Sequence, residues 1–233
     1  MQYGVAAGSA QLPTADYAMT YRDTAGGRGV YSFCMCPGGM VVAAASETGR
    51  LVTNGMSNYH RDSDTANSAL LVQVNPQDWG GAVLGGIAFQ RELEERAYRC
   101  GGGDYFAPVQ SVGDFRAGKT GTRDFAVTPT YAPGVRPADL HGILPAECAA
   151  SLARALAFWE ERVPGFGAAD VPMTGVESRS SAPCRIVRDA ATMESVSAEG
   201  LYPIGEGAGY AGGIMSAALD GLKAALAFLG KIQ

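Results

Sequence analysis

The sequence predicts an α+β fold: an antiparallel or mixed hairpin sheet with packed helices, closing on a strand, a glycine-rich turn and a helix. Three observations predict it. Short apolar runs at 17–22, 30–36, 40–45 and 51–53 are separated by turn residues such as Gly26-Gly27 and Pro37-Gly38-Gly39, the punctuation of hairpins. Stretches 86–99 and 145–163 instead carry apolar residues three and four apart, the period of a helix face. Finally, 201–204 is a short apolar run, 205–213 is dense in glycine, and Ile214, Met215, Ala218, Leu219, Leu222, Leu226 and Leu229 continue at helical spacing.

Taken in order, residues 1–14 are a small-residue entry segment. The hairpin strands follow, then a polar, irregular 54–67 and an apolar run at 69–74 suited to a buried strand. The helix over 86–99 should turn Ile87, Phe89, Leu93 and Ala97 inward and Arg91, Glu92, Glu94 and Glu95 outward, and Gly101-Gly102-Gly103 should end it. Residues 104–136, rich in Gly, Pro and Thr, read as loop with short strands. Pro145 opens the next helix, with Leu152, Leu156 and Trp159 on one face, and Pro164-Gly165 stops it. Segment 171–187 reads as strand, and Gly230 as the cap of the last helix.

Composition narrows the function classes. Glycine, 32 of 233 residues, is about twice ordinary usage, which points to tight turns and close backbone approaches. A net charge of −5 and a sequence pI near 5.1 exclude a nucleic-acid partner, which needs clustered Lys and Arg. Asp220 and Lys223 interrupt the longest apolar helix, so no membrane span or membrane partner is expected, and no leader opens the chain. Five irregularly spaced cysteines suit reduced thiols and a cytoplasmic protein.

Several motifs carry chemistry. Glycines at a strand-to-helix turn let the backbone approach a ligand, and a helix N-terminus offers unpaired N–H groups, which is how nucleotide cofactors are held. Gly207-Ala208-Gly209-Tyr210-Ala211-Gly212 fits G-x-G-x-x-G, yet no second strand or acidic ribose ligand follows it, so it is not the first half of a Rossmann unit. Residues 113–120 match the P-loop G-x-x-x-x-G-K-[ST], but Pro108, Asp114, Gly121 and Pro129 spoil the strand–loop–helix context, and an NTPase is the least favoured reading. Cys34-Met35-Cys36 on a strand puts both sulfurs on one face, as buried thiols or as a redox pair. Glu177 and Arg179, two apart on a strand, share a face, either as a structural ion pair or with Arg179 reading a substrate carboxylate. His60 sits in a polar loop suited to a substrate pocket, and with His141 as the other histidine no metal site is expected.

The run Ile204 to Ala218 closely resembles the C-terminal FAD-contacting segment of uncharacterised FAD-dependent dehydrogenases, distant relatives of the glutathione-reductase-like flavoproteins. The resemblance extends to Gly29 through Gly39, to Val42-Ala43-Ala44-Ala45-Ser46-Glu47, to Asn67-Ser68-Ala69-Leu70-Leu71-Val72 and to Gly175-Val176-Glu177-Ser178-Arg179. It implies FAD as cofactor, a small-molecule substrate and NAD(P)H as an allowed second partner. Cofactor contact would fall to Gly205, Glu206, Gly207, Gly212, Gly213, Ile214 and Met215, with Pro37, Gly38 and Gly39 beside the isoalloxazine. In this reading Glu206 accepts a hydrogen bond from a ribityl or ribose hydroxyl, and the N–H groups of Gly213, Ile214 and Met215 point at the flavin pyrimidine edge. Candidate catalytic residues are Cys36, Glu177, Arg179 and His60. Such proteins open with an N-terminal Rossmann segment, absent here, so the chain is expected to be a C-terminal portion: 1–170 covering substrate and flavin, 171–233 completing the FAD-binding domain. The alternative is a truncated, non-catalytic fragment without bound cofactor.

Overall fold

The structure is a computed structural model that describes residues 4–6, 9–13 and 15–231; the remainder of the predicted entry segment lies outside the described residues. Among the described residues, eight strands, four α-helices and two further 3-10 turns follow the 3-10 turn Gly4–Ala6. Strands β1 (Thr20–Asp23) and β2 (Arg28–Cys36) form an antiparallel hairpin around the Gly26-Gly27 turn, and β5 (Asn67–Val72) pairs with the other edge of β2. Strands β3 (Gly39–Ala43) and β4 (Thr53–Ser57) make a second antiparallel hairpin. A third sheet has β6 (Ala107–Ser111) at its centre, parallel to β7 (Val135–Pro137) and antiparallel to β8 (Pro172–Thr174). Four helices complete the fold: α1 (Gly85–Cys100), α2 (Val112–Ala117), α3 (Ala146–Arg162) and α4 (Ile214–Lys231). The α+β class is therefore as the patterning implies.

The core gathers on α3. Its Leu152, Leu156 and Trp159 are buried, as the helical spacing requires, together with Val30 of β2, Leu51, Val112 and Phe115. Asp23, fully buried at the end of β1, fastens this helix to the first hairpin: its carboxylate accepts from Ser151 Oγ at 2.6 Å and from Arg154 Nε at 2.9 Å. These bonds, the one from Arg154 above all, hold the Asp23 carboxyl far below the usual carboxylate range. Gly26 is required beside it, because a Cβ there would meet Asp23 Oδ2 at 2.3 Å.

Several local expectations fail for identifiable reasons. Residues 54–57, read as the start of a polar, irregular segment, continue from Thr53 as β4, because β3 supplies a complete ladder that the Thr-Asn-Gly-Met-Ser sequence does not advertise. Residues 112–117 are helical and not loop: Ser111 Oγ accepts from Asp114 N–H as an N-cap, and Gly118 closes the helix in the left-handed region. That helix uses the first half of the P-loop look-alike, so its N–H groups form no phosphate cradle. Most of 175–187 and the apolar run 201–204 join no ladder, and α4 continues through Gly230 to Lys231. No helix among the described residues is long and apolar enough to cross a membrane.

Candidate functional site

A cleft of about 840 Å³ opens between the sheets and α1 and α3. Its walls are largely apolar, with Leu70, Phe89, Leu93, Leu152, Leu156 and Phe166 among them. Polar residues of the lining include Cys36, Thr53, Asn67, Gln90, Glu177 and Ser181. Among the described residues that line the cleft, Glu177 is the one charged side chain; no Lys, Arg, Asp or His joins it. The volume and the largely apolar lining fit a small-molecule site.

Cys36, Asn67 and Glu177 are each placed by an irregularity in the chain. β2 breaks register between Phe33 and Cys36, with Cys34 in the left-handed region at φ 46, so Cys36 pairs with Asn67 of β5. This bulge undoes the expected common face of the two sulfurs. Cys34 is exposed, whereas Cys36 lines the cleft and donates its Sγ–H to the Cys34 carbonyl at 3.3 Å. Asn67 is packed face-on to Gly55, whose missing Cβ would lie 2.0 Å from Asn67 Oδ1, and its Nδ2 is buried with no hydrogen-bond partner among the described residues. Segment 175–179 meets the first residue of β4, tied by the Thr53 N–H donating to the Val176 carbonyl at 2.9 Å.

That segment separates the pair expected to share a face. Arg179 turns to α1, where its Nε and Nη2 reach Glu94 at 2.7 and 2.8 Å while Ser178 Oγ reaches the same carboxylate at 2.7 Å. Glu94, expected outward, is fully buried to receive them. Arg179 is thus a structural clamp. Glu177 is left in the cleft without a hydrogen bond or ion pair among the described residues, and burial pushes its carboxyl up to about 7. His60 lies on an exposed turn edge-on to Tyr59, at 5.3 Å between ring centroids, and lines no part of the cleft.

Pro37 borders the cleft, but Gly38 and Gly39 are glycine for the protein's own packing. At Gly38, φ is +53 and a Cβ would fall 2.1 Å from the Arg61 carbonyl oxygen; at Gly39 it would fall 2.6 Å from that of Met56. The C-terminal turn behaves differently. Gly207 and Gly212 have nothing within 4 Å of where a Cβ would stand, and Gly213 has only Ser216 Oγ at 3.9 Å. Ile214 and Met215, the first residues of α4, are 88% and 72% exposed. Their N–H groups belong to the unpaired first turn of the helix, whereas the Gly213 N–H donates locally to Ser216 Oγ at 3.1 Å. These open backbone faces fit a group that must approach the chain closely. Glu206 is exposed on the turn, and the Cys34 thiol is pushed up by partial desolvation first and then by the charges of Glu177, Cys36 and Glu206.

The turn is held by residues that motif reading passed over. Arg188 grips Asp220 of α4 at 2.7 and 2.9 Å, donates to the Pro203 carbonyl at 2.7 Å and lies 3.6 Å over the Tyr210 ring. Asp220 also accepts the Gly205 N–H at 2.9 Å, and the Arg188 contact pushes its carboxyl down to about 2. The signal was present, an Asp inside an apolar helix and an Arg upstream, but separation in sequence hid the pairing.

The architecture is that of an α+β domain. Residues 1–180 match the family described as "FAD-dependent protein, C-terminal domain-like", and the chain belongs to that family. An uncharacterized protein of Clostridium beijerinckii is 49% identical to it over 225 residues, 96% of this chain and 42% of that protein. The chain therefore spans less than half the length of that relative. The family match ends before the glycine-rich turn.

Proposed function

We propose that this chain is the substrate-covering part and terminal cofactor-contacting element of an FAD-dependent oxidoreductase, of the dehydrogenase type. Residues 1–170 would cover substrate and flavin, and 171–233 would complete the FAD-binding domain. FAD, when bound, supplies acceptance of a hydride or two electrons, and NAD(P)H is a second partner this reading admits. The observations that carry it are the open backbone of the turn at Gly207, Gly212 and Gly213, ahead of the exposed first residues of α4, and an apolar cleft enclosed by the other elements of the chain.

Within that reading, Glu206 and the first-turn N–H groups of Ile214 and Met215 hold polar edges of the cofactor. Arg188 and Asp220 fix the turn that carries them. The apolar walls exclude water from the cleft, and Glu177 holds or releases a proton at its mouth. The test is titration of FAD into the purified chain, followed by flavin fluorescence and by the visible bands. Gly213→Val fits the chain itself, since nothing but Ser216 Oγ lies within 4 Å, so a selective loss of flavin in that variant supports the assignment. A folded chain that leaves FAD fluorescence unchanged refutes it and leaves the truncated, non-catalytic reading.

A further inference from the structure

Helix α4 is apolar on two opposite sides. One side meets its own chain. Ala224 is buried there, Asp220 takes Arg188 and the Gly205 N–H, and the Phe228 ring meets that of Tyr202 edge-on at 5.6 Å. A Cβ at Gly205 would lie 3.9 Å from that of Ala217, and one at Gly221 would lie 3.9 Å from Ile204 Cδ1. The other side faces solvent. Ile214, Met215, Leu219, Leu222, Leu226 and Leu229 are between 50% and 88% exposed, and Ala218 and Ala225 among them are exposed as well. At 3.6 residues per turn these positions cover an arc of about 140° without a charge, and Ser216 and Lys223 lie together at one border of it. A helix apolar all round belongs between two layers, and an exposed apolar face of this length marks a surface that something covers.

Resting on the proposed function, we infer that the outer face of α4 docks against the polypeptide that the longer relative carries beyond the matched part, which makes α4 the middle layer between that polypeptide and residues 202–210. The comparisons choose this occupant. The Clostridium beijerinckii protein matches 225 residues of this chain, so at most eight of the 233 lie outside the match and Leu219 and Leu222 fall within it, while more than half of that protein lies beyond. The family match ends at residue 180, so α4 stands outside the unit it describes. A second copy of this chain fits less well. A helix pair uses a narrow seam, here Met215, Leu219, Leu222, Leu226 and Leu229 at steps of four and three; it would leave Ile214, Ala218 and Ala225 uncovered, and no opposite charges flank it to fix a register. A lipid surface also fits less well, because a helix lying in one turns a charged face to water, and the opposite face of α4 is apolar and already packed.

The test compares the full 233-residue chain with the intact Clostridium protein. A photo-reactive benzophenone amino acid replaces the residue aligned with Leu222 in the intact protein, and its cross-links are mapped by mass spectrometry. They should join α4 to residues outside the matched part. Cross-links between two copies, cross-links confined to the matched part, or none in a protein whose circular dichroism shows it folded would each overturn the inference. The second measurement is thermal unfolding. Leu222→Glu should leave the 233-residue chain within about 2 °C of its Tm, since that side chain meets solvent there, whereas Glu at the aligned position should lower the Tm of the intact protein by ~3 °C or more, as a buried unpaired charge does. Equal shifts in the two proteins would refute the docking. Neither readout needs flavin, so an uncovered face with a positive FAD titration removes the docking alone, and a covered face with a negative titration removes the flavin assignment alone.

Discussion

Replacing Arg179 by Met tests whether this residue is a clamp or a substrate ligand. The change keeps the unbranched stem and removes the guanidinium. Glu94 is fully buried on α1 and accepts three hydrogen bonds, two of them from Arg179, so the variant leaves a buried carboxylate with Ser178 as its remaining side-chain donor. Breaking a buried pair from one side costs about 3–5 kcal/mol. In a domain of this size each kcal/mol moves Tm by about 2–4 °C, so thermal unfolding should fall by roughly 6–20 °C. Adding Glu94→Gln removes the orphaned charge and should recover more than half of the loss. Because Ser178 and Glu177 ride on the same segment, the carboxyl of Glu177 should also move, visible as a changed NMR titration. The assay is calorimetric unfolding of the wild type, both single variants and the double variant. A loss below ~1 kcal/mol, the scale of an exposed pair, would refute the clamp and return Arg179 to the candidate ligands.

Glu177 binds its proton more tightly folded than unfolded, so stability should decline as pH rises from its ordinary 4.5 through about 7, by roughly 3 kcal/mol in total. Glu177→Gln should flatten that limb in denaturant melts taken across the range. Asp220 and Asp23 act in the opposite sense: their folded carboxyls are depressed, so their contribution is complete above the usual carboxylate range and is lost on acidification, for Asp220 through about 2. Asp220→Asn should lose on the order of 3 kcal/mol and speed hydrogen exchange at the Gly205 amide, which its carboxylate accepts; unchanged exchange would show that the turn is held otherwise. Gly38→Ala, placed in the left-handed region against the Arg61 carbonyl, should destabilise by roughly 2–4 kcal/mol in urea unfolding.

Periodic burial was legible in the sequence. α3 emerges from the spacing of Leu152, Leu156 and Trp159, and α1 from Leu93 and Ala97, because one helix face must meet the core wherever the partner lies. β4 and α2 were not legible. The first is a strand by virtue of its neighbour β3, and the second by virtue of a Ser111 cap inside a glycine-rich stretch. Glu94 shows the limit most clearly. On a helix face flanked by Arg91, Glu92 and Glu95 it reads as solvated, and only the approach of Arg179, 85 positions away, makes its burial tolerable.

The candidate site divides along the same line. Of the residues that motifs pointed to, Gly207, Gly212 and Gly213 have open space where a Cβ would stand, and Cys36 and Glu177 line the cleft. Asn67 could not be singled out, since one Asn at a strand start has no pattern; what marks it is its packing on Gly55 and a buried Nδ2 without a hydrogen-bond partner among the described residues. Arg179 illustrates the converse. Its spacing from Glu177 suggested a shared face, but segment 175–179 joins no ladder, so the alternation that would align the two side chains never applies. The result is a division of labour: Arg179 neutralises Glu94, and that commitment leaves Glu177 without a counter-charge among the described residues. An unpaired carboxyl in an apolar cleft is what raises its proton affinity toward neutrality, so the structural clamp and the candidate proton-holding group are two consequences of one choice of partner.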